Sequence, residues 1–142
     1  MGSSGSHPAA SSILPDPGTA TAVLAGDLLV IVGAMLVGEL RHGVDPLSEP
    51  LHVLETLAPF LLGWVVLSLL LGAYDPDALS GVTGSVRVGA GAWIGAANVG
   101  LILRQSPYFQ GSINYPFPLV VTGTVLVLLV AWRALVPVVL AD

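Results

Sequence analysis

Residues 83–105, TGSVRVGAGAWIGAANVGLILRQ, decide how this chain is read. The stretch places five glycines in an otherwise apolar run long enough to cross a bilayer, with Arg87 one turn inside its start and Arg104 at its end. In water each interior Gly costs about 1 kcal/mol of helix stability relative to Ala, which argues against a helix. In lipid the argument reverses, because helices associate there through close backbone approach and small residues at four-residue spacing mark a packing surface. The stretch therefore reads as a transmembrane helix.

Composition supports that reading. The 142 residues are 54% hydrophobic and 9% charged, with a mean hydropathy of +0.88. Soluble domains carry about 25% charged residues. Lysine is absent, and Arg41, Arg87, Arg104 and Arg133 are dispersed, so no basic patch for nucleic acid can be assembled. The absence of cysteine excludes disulfides, iron–sulfur clusters and thiolate chemistry.

Working outward, residues 1–18 are rich in Ser, Gly and Pro and read as a flexible tail. A first span follows at about residues 19–40, with Asp16 or Thr19 as its cap and Gly43 as its stop. The loop GVDPLSEP is short enough to make the next span, about 51–71, antiparallel to the first, with Pro50 in its first turn and Pro59 inside it. Residues 72–82 form a turn at Asp75-Pro76-Asp77, with Tyr74 at the interface. The glycine-rich span occupies about 83–104, residues 106–118 lie at the membrane surface, and a fourth span covers about 117–139. The predicted fold is all-α: an integral membrane four-helix bundle, up-down-up-down, in residues 19–142.

Three pairs of small residues predict helix contacts: Gly91 with Gly95, Ala96 with Gly100, and Ala34 with Gly38. The first two fall on different faces of the third span, which suits contacts with two neighbours, one inside the bundle and one on a second protomer.

Charges inside spans form two expected clusters. At about 1.5 Å per residue, Asp27 lies about 12 Å, Arg87 about 6 Å and Arg133 about 9 Å below one face, so the three can meet. A lone charge in hydrocarbon costs at least about 2.5 kcal/mol, which favours pairing inside the bundle. Pairing that fixes helix register, with Arg87 or Arg133 snorkelling, is the ordinary reading; a proton or anion site is the functional one. At the opposite face Glu39, Arg41, His42, His52, Glu55 and Arg104 gather, with Asn98 deeper. Glu39-x-x-His42 and His52-x-x-Glu55 loosely match the spacing of bundle metal sites. The arginines compete for those carboxylates, so an ion-pair rim is expected and no metal is assigned. No catalytic set, phosphate-binding loop or dinucleotide fingerprint is present, and nothing calls for a cofactor or an enzymatic activity. Trp64, Trp93 and Trp132 read as packing and interface residues.

Several short motifs occur in a suggestive order: Asp27, Arg41-His42-Gly43, Pro59-Phe60-x-x-Gly63-Trp64, Gly89-x-x-x-Trp93, Gly100-Leu101-x-Leu103-Arg104 and Trp132-Arg133. Together they resemble a domain-of-unknown-function family of small four-span proteins from actinobacteria and halophilic archaea. The resemblance covers about residues 20–135 and implies a prokaryotic inner-membrane protein with no assigned activity. Arg41 and Arg104, as juxtamembrane loop cations, predict both termini outside. The expected partners are the bilayer and either a second copy or another membrane protein. The expected role is a packing or assembly module; the alternative is a small oligomeric transporter or channel for protons or anions using Asp27, Arg87 and Arg133.

Overall fold

The computed structural model describes residues 17–108 and 117–140. Within them the chain forms α1 (Pro17–Arg41), α2 (Pro50–Leu70), the single-turn α3 (Pro76–Leu79), α4 (Val82–Arg104) and α5 (Phe117–Leu140). The four long helices have 25, 21, 23 and 24 residues. At about 1.5 Å per residue each exceeds the roughly 30 Å of a bilayer's hydrocarbon core. All four are long and apolar enough to span it, and the protein is an all-α, multi-pass membrane bundle.

Most of the expected tail, residues 1–16, and most of the surface segment 106–118 lie outside the described residues, as does Asp16. Pro17, Gly18 and Thr19 already belong to α1, so Thr19 is not its cap. A proline is tolerated in a first helical turn, where its missing N–H leaves no intrahelical bond unmade. Pro50 starts α2 in the same way, and α2 continues through Pro59.

Two glycines at positive φ end the first two spans. Gly43 (φ 82°) lies between the bonds from Gly43 N to Leu40 O and from Val44 N to Glu39 O. Gly72 (φ 67°) lies likewise between Gly72 N to Leu69 O and Ala73 N to Ser68 O. These are left-handed glycine terminations that satisfy the last carbonyls and reverse the chain. After Gly72 the chain turns inward: Ala73 is fully buried, and Asp75 leads into α3, whose Ala78 and Leu79 are also buried. The expected simple turn at residues 75–77 is thus a folded cap over one end of the bundle.

The long helices form a ring in the order α1, α2, α4, α5. The glycine-rich α4 packs most extensively, against α2 on one side and α5 on the other. Glycine makes the α2 contact possible: a Cβ at Gly63 would lie 2.6 Å from the Ala96 carbonyl oxygen, and one at Gly100 would lie 2.6 Å from the Phe60 ring. Gly95 sits against Leu67. Both small-residue pairs of α4 therefore serve the same neighbour, with Gly91 exposed at the edge near Leu71. Within one chain the two pairs thus meet one helix rather than two. Gly95 precedes Ala96 by one position, about 100° around the helix, so a broad small-residue face wraps α2. Contact with α5 is made through other residues: Trp93 Nε1 donates to the Thr122 carbonyl at 3.0 Å, and Gly89 lies against Arg133.

The α1 helix is buried along one stripe, Val23, Asp27, Ile31 and Met35, at four-residue spacing. Ala34 packs partly on the core, whereas Gly33 and Gly38 face open space. Side chains turned outward from the helices include Leu29, Leu54, Leu62, Val66, Ile94, Ile102 and Val127. An apolar exterior, with the few buried polar side chains turned into an otherwise apolar core, is the arrangement a bilayer solvent requires.

Candidate functional site

The buried polar network centres on Asp27, in the buried stripe of α1, and Arg133, on α5. Two sequence features bring them together. Gly26 lets the Trp132 indole lie against α1, where a Cβ would come within 2.0 Å of the ring. Gly89 lets the Arg133 stem cross α4, where a Cβ would be 2.8 Å from Arg133 Cγ.

The pair is two-pronged: Arg133 Nε donates to Asp27 Oδ1 at 3.0 Å and Nη2 to Oδ2 at 2.6 Å. Trp132 Nε1 donates to Oδ1 at 3.1 Å, and the Tyr74 hydroxyl donates to Oδ2 at 2.8 Å. A carboxylate offers about four lone-pair sites. All are filled by four donors of the same chain. The network extends further, since Trp64 Nε1 donates to the Tyr74 oxygen at 3.0 Å and Arg133 Nη1 to the Ala73 carbonyl at 2.8 Å. The Arg133 guanidinium also stands 5.2 Å from the centroid of the Tyr74 ring, within cation–π range. Burial pushes the Tyr74 phenol well above its ordinary acidity range, and the charge of Asp27 adds to the shift.

The predicted meeting of Asp27 with Arg133 occurs, and Arg87 does not join it. Arg87 is exposed on α4. It precedes Gly89 by two residues, which is about 200° of helix rotation, so it faces away from Arg133. Tyr74, expected at the interface, is instead the third member of the site. Trp64 and Trp132 donate into it as well as packing. The signal that could have found them is their own chemistry, since a buried indole N–H needs an acceptor and few exist inside an apolar bundle. Near the cap, Ser85 is fully buried and its hydroxyl has no hydrogen-bond partner.

The second cluster assembles only in part. Glu39 Oε2 and His52 Nε2 stand 3.6 Å apart, a contact longer than a hydrogen bond, and half-buried Arg104 lies within electrostatic reach of Glu39. Arg41, His42 and Glu55 are exposed. Asn98 is exposed and turns its amide back to the Ile94 carbonyl at 2.7 Å, so it does not belong to the cluster. Among the described residues no three His, Asp or Glu side chains converge as metal ligands, and Glu39, His42, His52 and Glu55 do not make a metal site. The cause is position: His42 lies beyond the last turn of α1, in the turn that Gly43 reverses.

A family model described as a protein of unknown function, DUF3054, matches residues 24–136. The chain belongs to the DUF3054 family. The matched region contains Asp27, Trp64, Tyr74, Trp132 and Arg133, so the whole buried network lies inside the DUF3054 domain. No curated protein and no solved structure matches the chain.

Proposed function

We propose that this DUF3054 protein is a membrane packing or assembly module, acting as a homo-oligomer or as an accessory subunit of a larger membrane complex. The observation that carries this reading is the saturation of Asp27: every acceptor position on its carboxylate is occupied by a donor of the same chain. An ion or proton passing through the bundle would have to break one of those bonds, which favours a structural pair over a transport path. The open Gly33 and Gly38 positions on α1, the helix buried along a single stripe, support close approach by another transmembrane helix. On the same reading the protein lies in the inner membrane of a prokaryote with both termini outside, as the juxtamembrane Arg41 and Arg104 favour.

The test is the mass of the particle extracted from its native membrane in mild detergent, by light scattering with detergent subtraction. The expected result is a defined assembly larger than the 14.5 kDa chain, or the chain with a stoichiometric partner. A lone monomer overturns the reading. Proton or anion flux in proteoliposomes that is abolished by Asp27→Asn would favour the transporter alternative instead.

A further inference from the structure

We propose that residues 72–81 form a latched cap that is shut as long as no uncompensated charge lies beneath it, and that opens when Asp27 loses its negative charge and strands Arg133. The proposal does not depend on the assembly reading. Loops belong at the surface, since buried backbone must find hydrogen-bond partners. This one is drawn inward: Ala73 is 0% exposed, Ala78 8% and Leu79 5%. Two of its polar attachments go to the two members of the ion pair, and a third comes from the Trp64 indole, whose Nε1 donates to the Tyr74 oxygen. The Ala73 carbonyl accepts from Arg133, and the Tyr74 hydroxyl donates to Asp27.

The charged and titratable groups facing the pair are few. Asp27 comes from α1, Arg133 from α5 and Tyr74 from the cap; α2 contributes the indole of Trp64, and α4 contributes Gly89, with Arg87 turned away. If Asp27 is neutral, Arg133 is left as an uncompensated cation in an apolar bundle. A charge in that position moves to water where its stem can reach. Arg133 lies seven residues from the end of α5, about 10 Å from that end of the bundle. The way there is blocked by Ala73 and Tyr74, the residues its guanidinium touches. Hydrating Arg133 therefore requires the cap to move. The closed form also leaves the buried Ser85 hydroxyl unsatisfied, next to Gly84, which faces the Ala78 and Asp77 carbonyls of α3. Opening would hydrate that hydroxyl too.

The chain has no cysteine, so single introduced thiols report cleanly. The full-length protein in proteoliposomes would carry Leu79→Cys, under the cap, or Ala97→Cys, buried in α4 away from it, and would be labelled with a hydrophilic maleimide. With Asp27 present both thiols are protected. Adding Asp27→Asn should speed labelling at position 79 about sixtyfold, the factor matching the smallest penalty for a lone intramembrane charge, and leave position 97 protected. Removing the stranded cation as well, in Asp27→Asn with Arg133→Met, should restore protection at position 79. The latch is overturned by fast labelling at position 79 with Asp27 intact, by no acceleration with Asp27→Asn, or by exposure that persists in the double variant. Simultaneous exposure of position 97 also overturns it, since the response would then be general unfolding.

Discussion

Arg133 and Asp27 meet side-on inside the bundle, Nε on Oδ1 at 3.0 Å and Nη2 on Oδ2 at 2.6 Å, with neither side chain exposed. They are 106 residues apart and belong to the first and last helices, so the pair closes the ring on the side where α1 meets α5. An ion pair in this place acts mainly on register: its two-pronged geometry admits one rotation and one height of α1 against α5.

Breaking that pair from either side should cost more than removing it whole. Asp27→Leu and Arg133→Leu should each lower unfolding free energy in detergent by about 3–5 kcal/mol, because each strands a buried charge. The double variant, which strands no charge, should lose less than either single variant. Additive losses would mean that the two side chains contribute independently. Arg87→Gln, at an exposed position on α4, should stay within about 0.5 kcal/mol of the parent.

The contact between α2 and α4 depends on two backbones touching at Gly63. A methyl there would stand 2.6 Å from the Ala96 carbonyl oxygen and 3.0 Å from its Cα, atoms that cannot rotate away. Gly63→Ala should therefore cost about 1–3 kcal/mol, the usual penalty of overpacking. At Gly91 a methyl meets only Leu71 Cδ1 at 3.9 Å, and Gly91→Ala should cause no loss. Thermal unfolding of both variants followed by circular dichroism decides the matter, and equal midpoints would show that the α2–α4 spacing adapts freely.

The arithmetic of helix rise was enough to bring Asp27 and Arg133 to one depth, and the four spans follow from apolar length alone. Depth is not direction, however. Arg87 satisfied the same arithmetic and fails because its azimuth on α4 depends on which face meets α5, a property set by Gly89 and Trp93 together rather than by either alone. Tyr74 was less legible still. Its inward course is produced by the left-handed turn at Gly72, and Gly72 read in isolation marks only the end of a helix. Within one chain Gly95, Ala96 and Gly100 all meet α2, since adjacent small residues widen one face as readily as they define two.

Gly26 and Gly33 offer a paired test of how the Trp132 indole is seated. A Cβ at position 26 would fall within 2.0 Å of the indole, so Gly26→Ala must push the ring off α1 and break its bond to Asp27 Oδ1. The expected loss is about 1–3 kcal/mol, with a shift in tryptophan fluorescence. Gly33 has no atom of its own chain within 4 Å of a Cβ, so Gly33→Ala should leave the spectrum unchanged, and any loss it causes should fall on association through α1 rather than on the seat of the indole. Unaltered fluorescence in Gly26→Ala would mean that the ring is not fixed by that contact.

Tyr74 ties stability to alkaline pH. Burial and the neighbouring Asp27 charge raise its phenol above the ordinary value near 10. Below about pH 10 both folded and unfolded chains hold the proton, and the contribution to stability is complete. Above it the unfolded chain releases the proton while the folded chain keeps it, so stability falls as pH rises, until the folded-state value is passed. Tyr74→Phe should remove this part of the pH dependence. It should also lower stability at neutral pH by about 1–3 kcal/mol, since Trp64 Nε1 loses its acceptor and Asp27 loses one donor. Unfolding midpoints of the parent and Tyr74→Phe at about pH 8 and about pH 11 separate the two effects. The gap between them should narrow at the higher pH; a gap that stays constant would show that the phenol of Tyr74 ionises alike in both states.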